Sequence, residues 1–211
     1  MDSWFPDFNW VVIELLLATR NAHKTREIQE ILGTDFAVRD LRACPEISDT
    51  DESGASFEEN ATLKALAVSK RLPGFVAADD SGLEVDALGG APGIYSARYA
   101  GTNATENEKI NKLLRELARL GARGDARRAR FHCVVALARN GNLVGRFRGI
   151  VEGRIADQRR GNGGFGYDPI FIPEGLEETF GELPAEVKNT ISHRAKAIRP
   201  LAIRLRQLEI R

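Results

Sequence analysis

The sequence predicts a mixed α/β fold, and three observations carry that expectation. An apolar run at 15–18 is followed by Ile28, Ile31 and Leu32 at helical spacing up to Gly33, which reads as strand, loop, helix. Two apolar runs, 131–138 and 143–151, are joined through Asn140 and Gly141, the pair best suited to the two-residue turn of a β-hairpin. Ser56 with Glu59, and Thr105 with Glu108, have the form of capping boxes that open helices. Strand-helix alternation beside a hairpin calls for a sheet with both parallel and antiparallel neighbours.

The remaining elements follow in chain order. The helix after Ser56 carries Leu63, Leu66 and Ala67 and is closed by Pro73 and Gly74; a short apolar strand at 75–78 then stops abruptly at Asp79, Asp80, Ser81 and Gly82. Gly89, Gly90, Pro92 and Gly93 make an irregular loop. The helix after Thr105 shows Ile110, Leu113, Leu114, Leu117 and Leu120 on one stripe, with Gly121 as its stop and a basic surface linker at 123–130 beyond it. A Gly-rich loop at 161–166 precedes a strand at 170–172, and from Ser192 a last helix carries Ile198, Leu201, Leu205 and Leu208, with Pro200 either kinking it or marking its start.

Composition narrows the function classes. With 211 residues, 43% hydrophobic and 28% charged, the chain can bury a core without staples and does not read as disordered. Thirty basic residues against thirty acidic ones leave zero net charge, which argues against a protein that coats nucleic acid and means that any anionic ligand is bound locally. Cys44 and Cys133 form neither a disulfide framework nor a metal cluster, so a cytoplasmic setting is the default. The run at 11–18 is interrupted by Glu14 and is too short for a membrane span. Residues 1–13, with Trp4, Phe5, Phe8 and Trp10, read as an appendage to a single domain at 14–211.

Chemistry-bearing residues interrupt these patterns at four places. Asn21 and Lys24 stand between a strand and a helix start, where an anion is favoured. Neither the phosphate-loop nor the dinucleotide glycine pattern is present. Asp79 and Asp80 are adjacent carboxylates, costly to ionise together without a cation; Mg²⁺ fits best, and Asp51 or Glu52 could add an oxygen ligand. Phe165, Gly166, Tyr167 and Asp168 offer an aromatic face and a carboxylate in a flexible loop, suited to a flat base. Lys188, His193 and Arg194 gather donors around the last helix.

Six blocks in this order resemble the inosine triphosphate pyrophosphatase family over about 14–208. They are Ala18-Thr19-Arg20-Asn21-Ala22-His23-Lys24; Phe57-Glu58-Glu59-Asn60-Ala61 with Lys64; Ala78-Asp79-Asp80-Ser81-Gly82-Leu83-Glu84-Val85; Gly89-Gly90-Ala91-Pro92-Gly93-Ile94-Tyr95-Ser96-Ala97-Arg98; Gly163-Gly164-Phe165-Gly166-Tyr167-Asp168-Pro169; and Ser192-His193-Arg194. The resemblance implies an elongated mixed sheet with flanking helices, two lobes around a deep cleft, and a homodimer. It implies Mg²⁺-dependent hydrolysis of inosine and xanthosine triphosphates to the monophosphate and pyrophosphate.

By the same resemblance Thr19, Arg20, Asn21, Ala22, His23 and Lys24 would hold the triphosphate together with Lys64. Asp80 would activate water and touch Mg²⁺ beside Asp79, with Asp51 or Glu52 as a further ligand. Ser81 would contact the nucleotide, Phe165 would stack on the base, and Gly166, Tyr167, Asp168, Lys188, His193 and Arg194 would line the purine and sugar. Arg20 and His23 stand where many relatives carry small or different residues. A pyrophosphatase of modified pyrimidine nucleotides and a non-catalytic nucleotide sensor are the alternatives.

Overall fold

The computed structural model describes residues 12–48 and 50–209. Its centre is a six-stranded mixed sheet in the order β2-β1-β3-β4-β5-β6. Strand β1 (Ile13–Leu17) runs parallel to β2 (Phe36–Asp40) and β3 (Phe75–Val85), while β4 (Arg128–Arg139), β5 (Asn142–Ile155) and β6 (Phe171–Pro173) continue antiparallel. The parallel half is connected through α1 (Ala22–Leu32) and α2 (Phe57–Ser69), and the antiparallel half by the expected hairpin. Asn140 and Gly141 have φ of 51° and 75°, the left-handed pair that a tight hairpin turn needs.

Local sequence explains where the helices begin. The Asn21 side chain accepts from the amides of His23 and Lys24 at the start of α1. Ser56 caps α2 through the Glu59 amide, but the Glu59 carboxylate reaches back to the Ala55 amide, one residue before its expected partner. Helix α3 (Glu106–Arg119) has a complete capping box at Thr105 and Glu108. Its Ile110, Leu113 and Leu117 are buried at about 1.5–3 kcal/mol each, enough to fix the docking face. Leu120, expected on that stripe, is 60% exposed because the helix has already ended.

Helices α1 and α5 (His193–Glu209) cover one face of the sheet around Leu15, Val135 and Ile198, and α2 covers the opposite face around Ala61, Val76 and Ala136. A third cluster joins α3 to the far ends of β3, β4 and β5 through Leu83, Phe131 and Val151. Among the described residues no helix is long and apolar enough to cross a membrane. Both cysteines are free.

The structure departs from the sequence reading at several points. Strand β3 does not stop at Ala78 but runs through Asp79–Gly82 to Val85, because its ladder with β4 continues unbroken from Phe75 opposite Arg139 to Val85 opposite Ala129. Residues 123–130 are not a surface linker. Strand β4 starts at Arg128, and Arg127 is buried with its guanidinium donating to the carbonyls of Ala122, Ile155 and Ala156. Strand β2 and the short helix α4 (Ala185–Ile191) were not anticipated. Pro200 is not the start of α5, which begins after Ser192 and continues through the proline to Glu209, its buried Ile198, Leu201 and Leu205 anchored on the sheet. Of the appendage, residues 1–11 lie outside the described residues.

Candidate active site

Strand pleating sends Asp79 and Asp80 to opposite faces of β3. Asp79, with Ser81 two residues on, faces α1 and α5. Its Oδ2 takes Lys24 Nζ at 2.8 Å and the Ser81 hydroxyl at 2.6 Å, and Arg194 lies at 3.6 Å. Asp80 faces α2, accepting from Asn60 Nδ2 at 3.2 Å and Lys64 Nζ at 3.1 Å. Lys64 also reaches Glu52 at 2.8 Å, and Arg98 holds the other Glu52 oxygen at 3.3 Å.

The two neighbours therefore ionise differently. Burial pushes both carboxyls up, but for Asp79 the cations Lys24 and Arg194 outweigh it and hold the group far below the usual carboxylate range. For Asp80 burial wins over Lys64, with Glu52 adding repulsion, and the pKa rises. Asp79 is thereby favoured as the anion, and Asp80 takes a proton more readily than an ordinary aspartate.

Next to this acidic pair lies a chain of buried charges from four elements. Arg194 on α5 binds Glu27 on α1 at 2.7 Å; Glu27 lies 3.5 Å from Lys188 on α4; Lys188 binds Asp168 at 2.7 Å. Asp168 Oδ2 also accepts from the Phe165 amide at 2.7 Å, which ties down the Gly-rich loop. His193 stacks on Phe131 at 4.5 Å and is driven well below the usual imidazole pKa by burial, then by Arg194 and Lys188, so it is neutral. His193 Nδ1, Arg194 Nε and Glu27 Oε1 are buried without hydrogen-bond partners. The residues His193 and Arg194 line one cavity with Lys24, Glu52 and Asp80, so donors, cations and carboxylates share a single concave site.

The sequence profile of the Ham1 family matches residues 15–203. The chain belongs to the Ham1 family. It is 47% identical over 189 residues to a dITP/XTP pyrophosphatase of Halalkalibacterium halodurans, covering 89% of this chain and 96% of that protein. A HAM1 protein from Coxiella burnetii superposes with a TM-score of 0.82 at 40% identity, covering 92% of this chain and 99% of the other. The Ham1 protein of Staphylococcus aureus gives 0.79 at 42% identity over 92% and 98%. The mixed sheet and its flanking helices are thus the Ham1 fold.

In this Ham1 chain the predicted residues divide by position. Asn21, Lys24, Glu52, Asp80, Ser81, Phe165, Gly166, Tyr167, Asp168, His193 and Arg194 line the cavity, with Lys64 and Asp79 held against it by the contacts above. Lys188 reaches it through Asp168, and the Tyr167 hydroxyl braces the wall by donating to the Ser96 carbonyl. Thr19 accepts from the Asn21 amide through its hydroxyl, and Ala22 only opens α1. Arg20 instead donates to the carbonyls of Leu41 and Ile47, outside the cavity lining. Asp51 is exposed and outside the cavity lining, whereas Glu52 faces Lys64.

The helix start is also less open to an anion than its sequence suggests, since the amides of His23 and Lys24 are already taken by Asn21. Sequence reasoning missed Glu27, and it assigned no role to Asn60 and Arg98 although both stand in the blocks that carry the resemblance. Glu27 follows Lys24 by three positions, one helical turn on the same face, and that spacing was its only signal.

Proposed function

We propose that this protein hydrolyses non-standard purine nucleoside triphosphates, those of inosine and xanthosine with ribose or deoxyribose, to the monophosphate and pyrophosphate. The observation that carries the reading is a single cavity in which Asp80, held by Lys64 and Asn60 and flanked by the Lys24–Asp79 pair, shares the lining with His193 and Arg194, whose Nδ1 and Nε have no hydrogen-bond partner. The names of its relatives, dITP/XTP pyrophosphatases, support the same substrate class.

Cleavage of a phosphoanhydride needs the triphosphate's charge offset, a water held in line and a base for its proton. Lys24 and Lys64 reach the cavity from two helices and offset the phosphates. The Asp80 carboxylate takes the proton of a water attacking the α-phosphorus, and its raised pKa strengthens it as a base. Asn60 fixes the other Asp80 oxygen and so aims the carboxylate.

The donor set also fits Mg²⁺. Glu52 and Asp80 converge on one ammonium, Lys64 Nζ, so two hard oxygen donors meet at a single cation position, the usual protein share of a magnesium site completed by substrate phosphates. Among the described residues no three acidic, histidine or cysteine side chains form a ready cluster. Bound there, Mg²⁺ would neutralise phosphate charge. Asp79, saturated by Lys24, Arg194 and Ser81, serves instead to hold those cations.

At the other end a 6-keto oxygen would give Arg194 Nε, and the neutral imidazole of His193, an acceptor. The amino group of adenine would leave them unpaired, at about 1–3 kcal/mol per buried group. A panel of nucleoside triphosphates, with and without Mg²⁺, tests the reading: pyrophosphate release should be greatest with inosine and xanthosine nucleotides and should require the metal. Release of orthophosphate, preference for a pyrimidine nucleotide, or inertness toward every triphosphate would overturn it. The family resemblance further suggests a homodimer, which light scattering of the purified chain would check, and the two unpaired cysteines suit a reducing cytoplasm.

A further inference from the structure

His23 belongs to the triphosphate-holding stretch by sequence, yet its ring lies elsewhere. It stacks on Phe165 at 5.6 Å between centroids with the planes 24° apart. Phe165 is a wall shared by two hollows. One is the main cavity with Lys24, Asp80 and Arg194; the other is an outer hollow whose lining includes His23, Glu30 and Lys188. His23 lines only the outer one. Lys24, the next residue, turns to Asp79 inside.

The loop carrying Phe165 is pinned at few points: the Gly163 amide donates to the Gly181 carbonyl at 2.8 Å, and the Asp168 amide to the Phe165 carbonyl at 3.2 Å. Gly163, Gly164 and Gly166 surround Phe165, the last two at φ of 69° and 62°, and its own amide is held by Asp168 alone. The placement of the ring also depends on what touches its side chain: His23, and the Lys188 and Arg194 cations at 5.0 and 5.3 Å from its centroid. His23 suits that task because its backbone is fixed, its amide held at 2.9 Å by the capping Asn21.

We propose that His23 is a positioning residue rather than a phosphate contact: it backs the outer face of Phe165 and keeps the inner face set for a purine base, clasping the start of α1 to the Gly-rich loop. This rests on the proposed nucleotide reading for its consequence in catalysis, but the clasp itself exists without nucleotide. An aromatic stack of this kind predicts modest, base-specific effects.

The test compares the unaltered protein with His23→Ala and His23→Phe. Hydrogen exchange at the amides of 165–168, measured without nucleotide, should quicken about three- to tenfold in His23→Ala and return to normal in His23→Phe. In the same pair, KM for inosine triphosphate and the dissociation constant of inosine monophosphate should rise by about three- to tenfold and be rescued by Phe. Turnover number and inhibition by inorganic pyrophosphate should stay within about twofold. Unchanged exchange in His23→Ala, failure of Phe to rescue, or weakened pyrophosphate inhibition with inosine monophosphate binding intact would overturn the proposal. If the unaltered protein hydrolyses no nucleotide, the functional reading fails while the exchange comparison still decides the clasp.

Discussion

The two ends of the cavity are built from the same kinds of charged residue but bury them to different depths. At the phosphate end two of the ion pairs have a partner within reach of water, since the Lys24 side chain is 18% exposed and that of Glu52 31%, while the Lys64–Asp80 pair lies deeper at 11% and 9%. At the base end the side chains of Glu27, Lys188, Asp168 and Arg194 are all at or below 7%. Pairs near water exchange partners at little cost, whereas a buried pair that loses one member leaves a stranded charge. The phosphate end is thus suited to releasing its lysines to an arriving polyanion, and the base end to holding a fixed shape.

The sharpest way to break that contrast is at its catalytic extreme. Asp80→Asn keeps the shape of the side chain but not its basicity, so turnover should fall by about 10²–10⁴-fold with nucleotide affinity within a few-fold. Near-normal pyrophosphate release would remove Asp80 from the role of base. At the base end, Glu27→Gln takes from buried Arg194 its nearest carboxylate, leaving it Asp79 at 3.6 Å, while Lys188 keeps Asp168; it should cost about 3 kcal/mol of unfolding free energy in urea titrations. A loss below about 1 kcal/mol would show that the buried chain of charges is as replaceable as the outer one.

His193 offers a milder test. Its folded pKa lies below the unfolded value of 6.5, so the unfolded chain binds more protons as pH falls through that range. The stability it contributes is complete above pH 6.5 and should be lost on acidification at up to about 1.4 kcal/mol per pH unit. His193→Gln should flatten that part of the profile, and an unchanged slope would count against a neutral buried imidazole. The smallest structural effect belongs to Glu52→Gln, which should change stability by less than about 1 kcal/mol because the residue is partly exposed. It should nevertheless raise the Mg²⁺ needed for half-maximal activity by roughly tenfold. Asp51→Asn, outside the cavity, should leave that requirement within about twofold.

Much of this architecture was legible in the sequence because local signals agreed with tertiary placement. The Thr105 capping box, the Asn140-Gly141 turn and the apolar run at 15–17 each specify backbone that packing only had to accept. Strand β3 was cut short because Asp79 and Asp80 look like a strand end to any rule that equates burial with apolarity. Their burial is carried by lysines and arginine from helices distant in sequence. Arg127 misled for the same reason, since three backbone carbonyls satisfy it out of water. Glu27 looked like one more charge on an amphipathic helix; its partner Arg194 is 167 positions away, and no local pattern encodes that pairing.

The pleat of β3 has a consequence for how such a protein can change over time. The two aspartates differ in chemistry only because they are consecutive on a strand locked in register to its neighbour. Inserting one residue ahead of them would swing each carboxylate to the other side and give the proton acceptor's seat to Asp79, whereas deleting one would give that seat to Ser81. Substitutions can tune this centre by degrees, but a frame slip within the strand would empty one of its two carboxylate seats in one step.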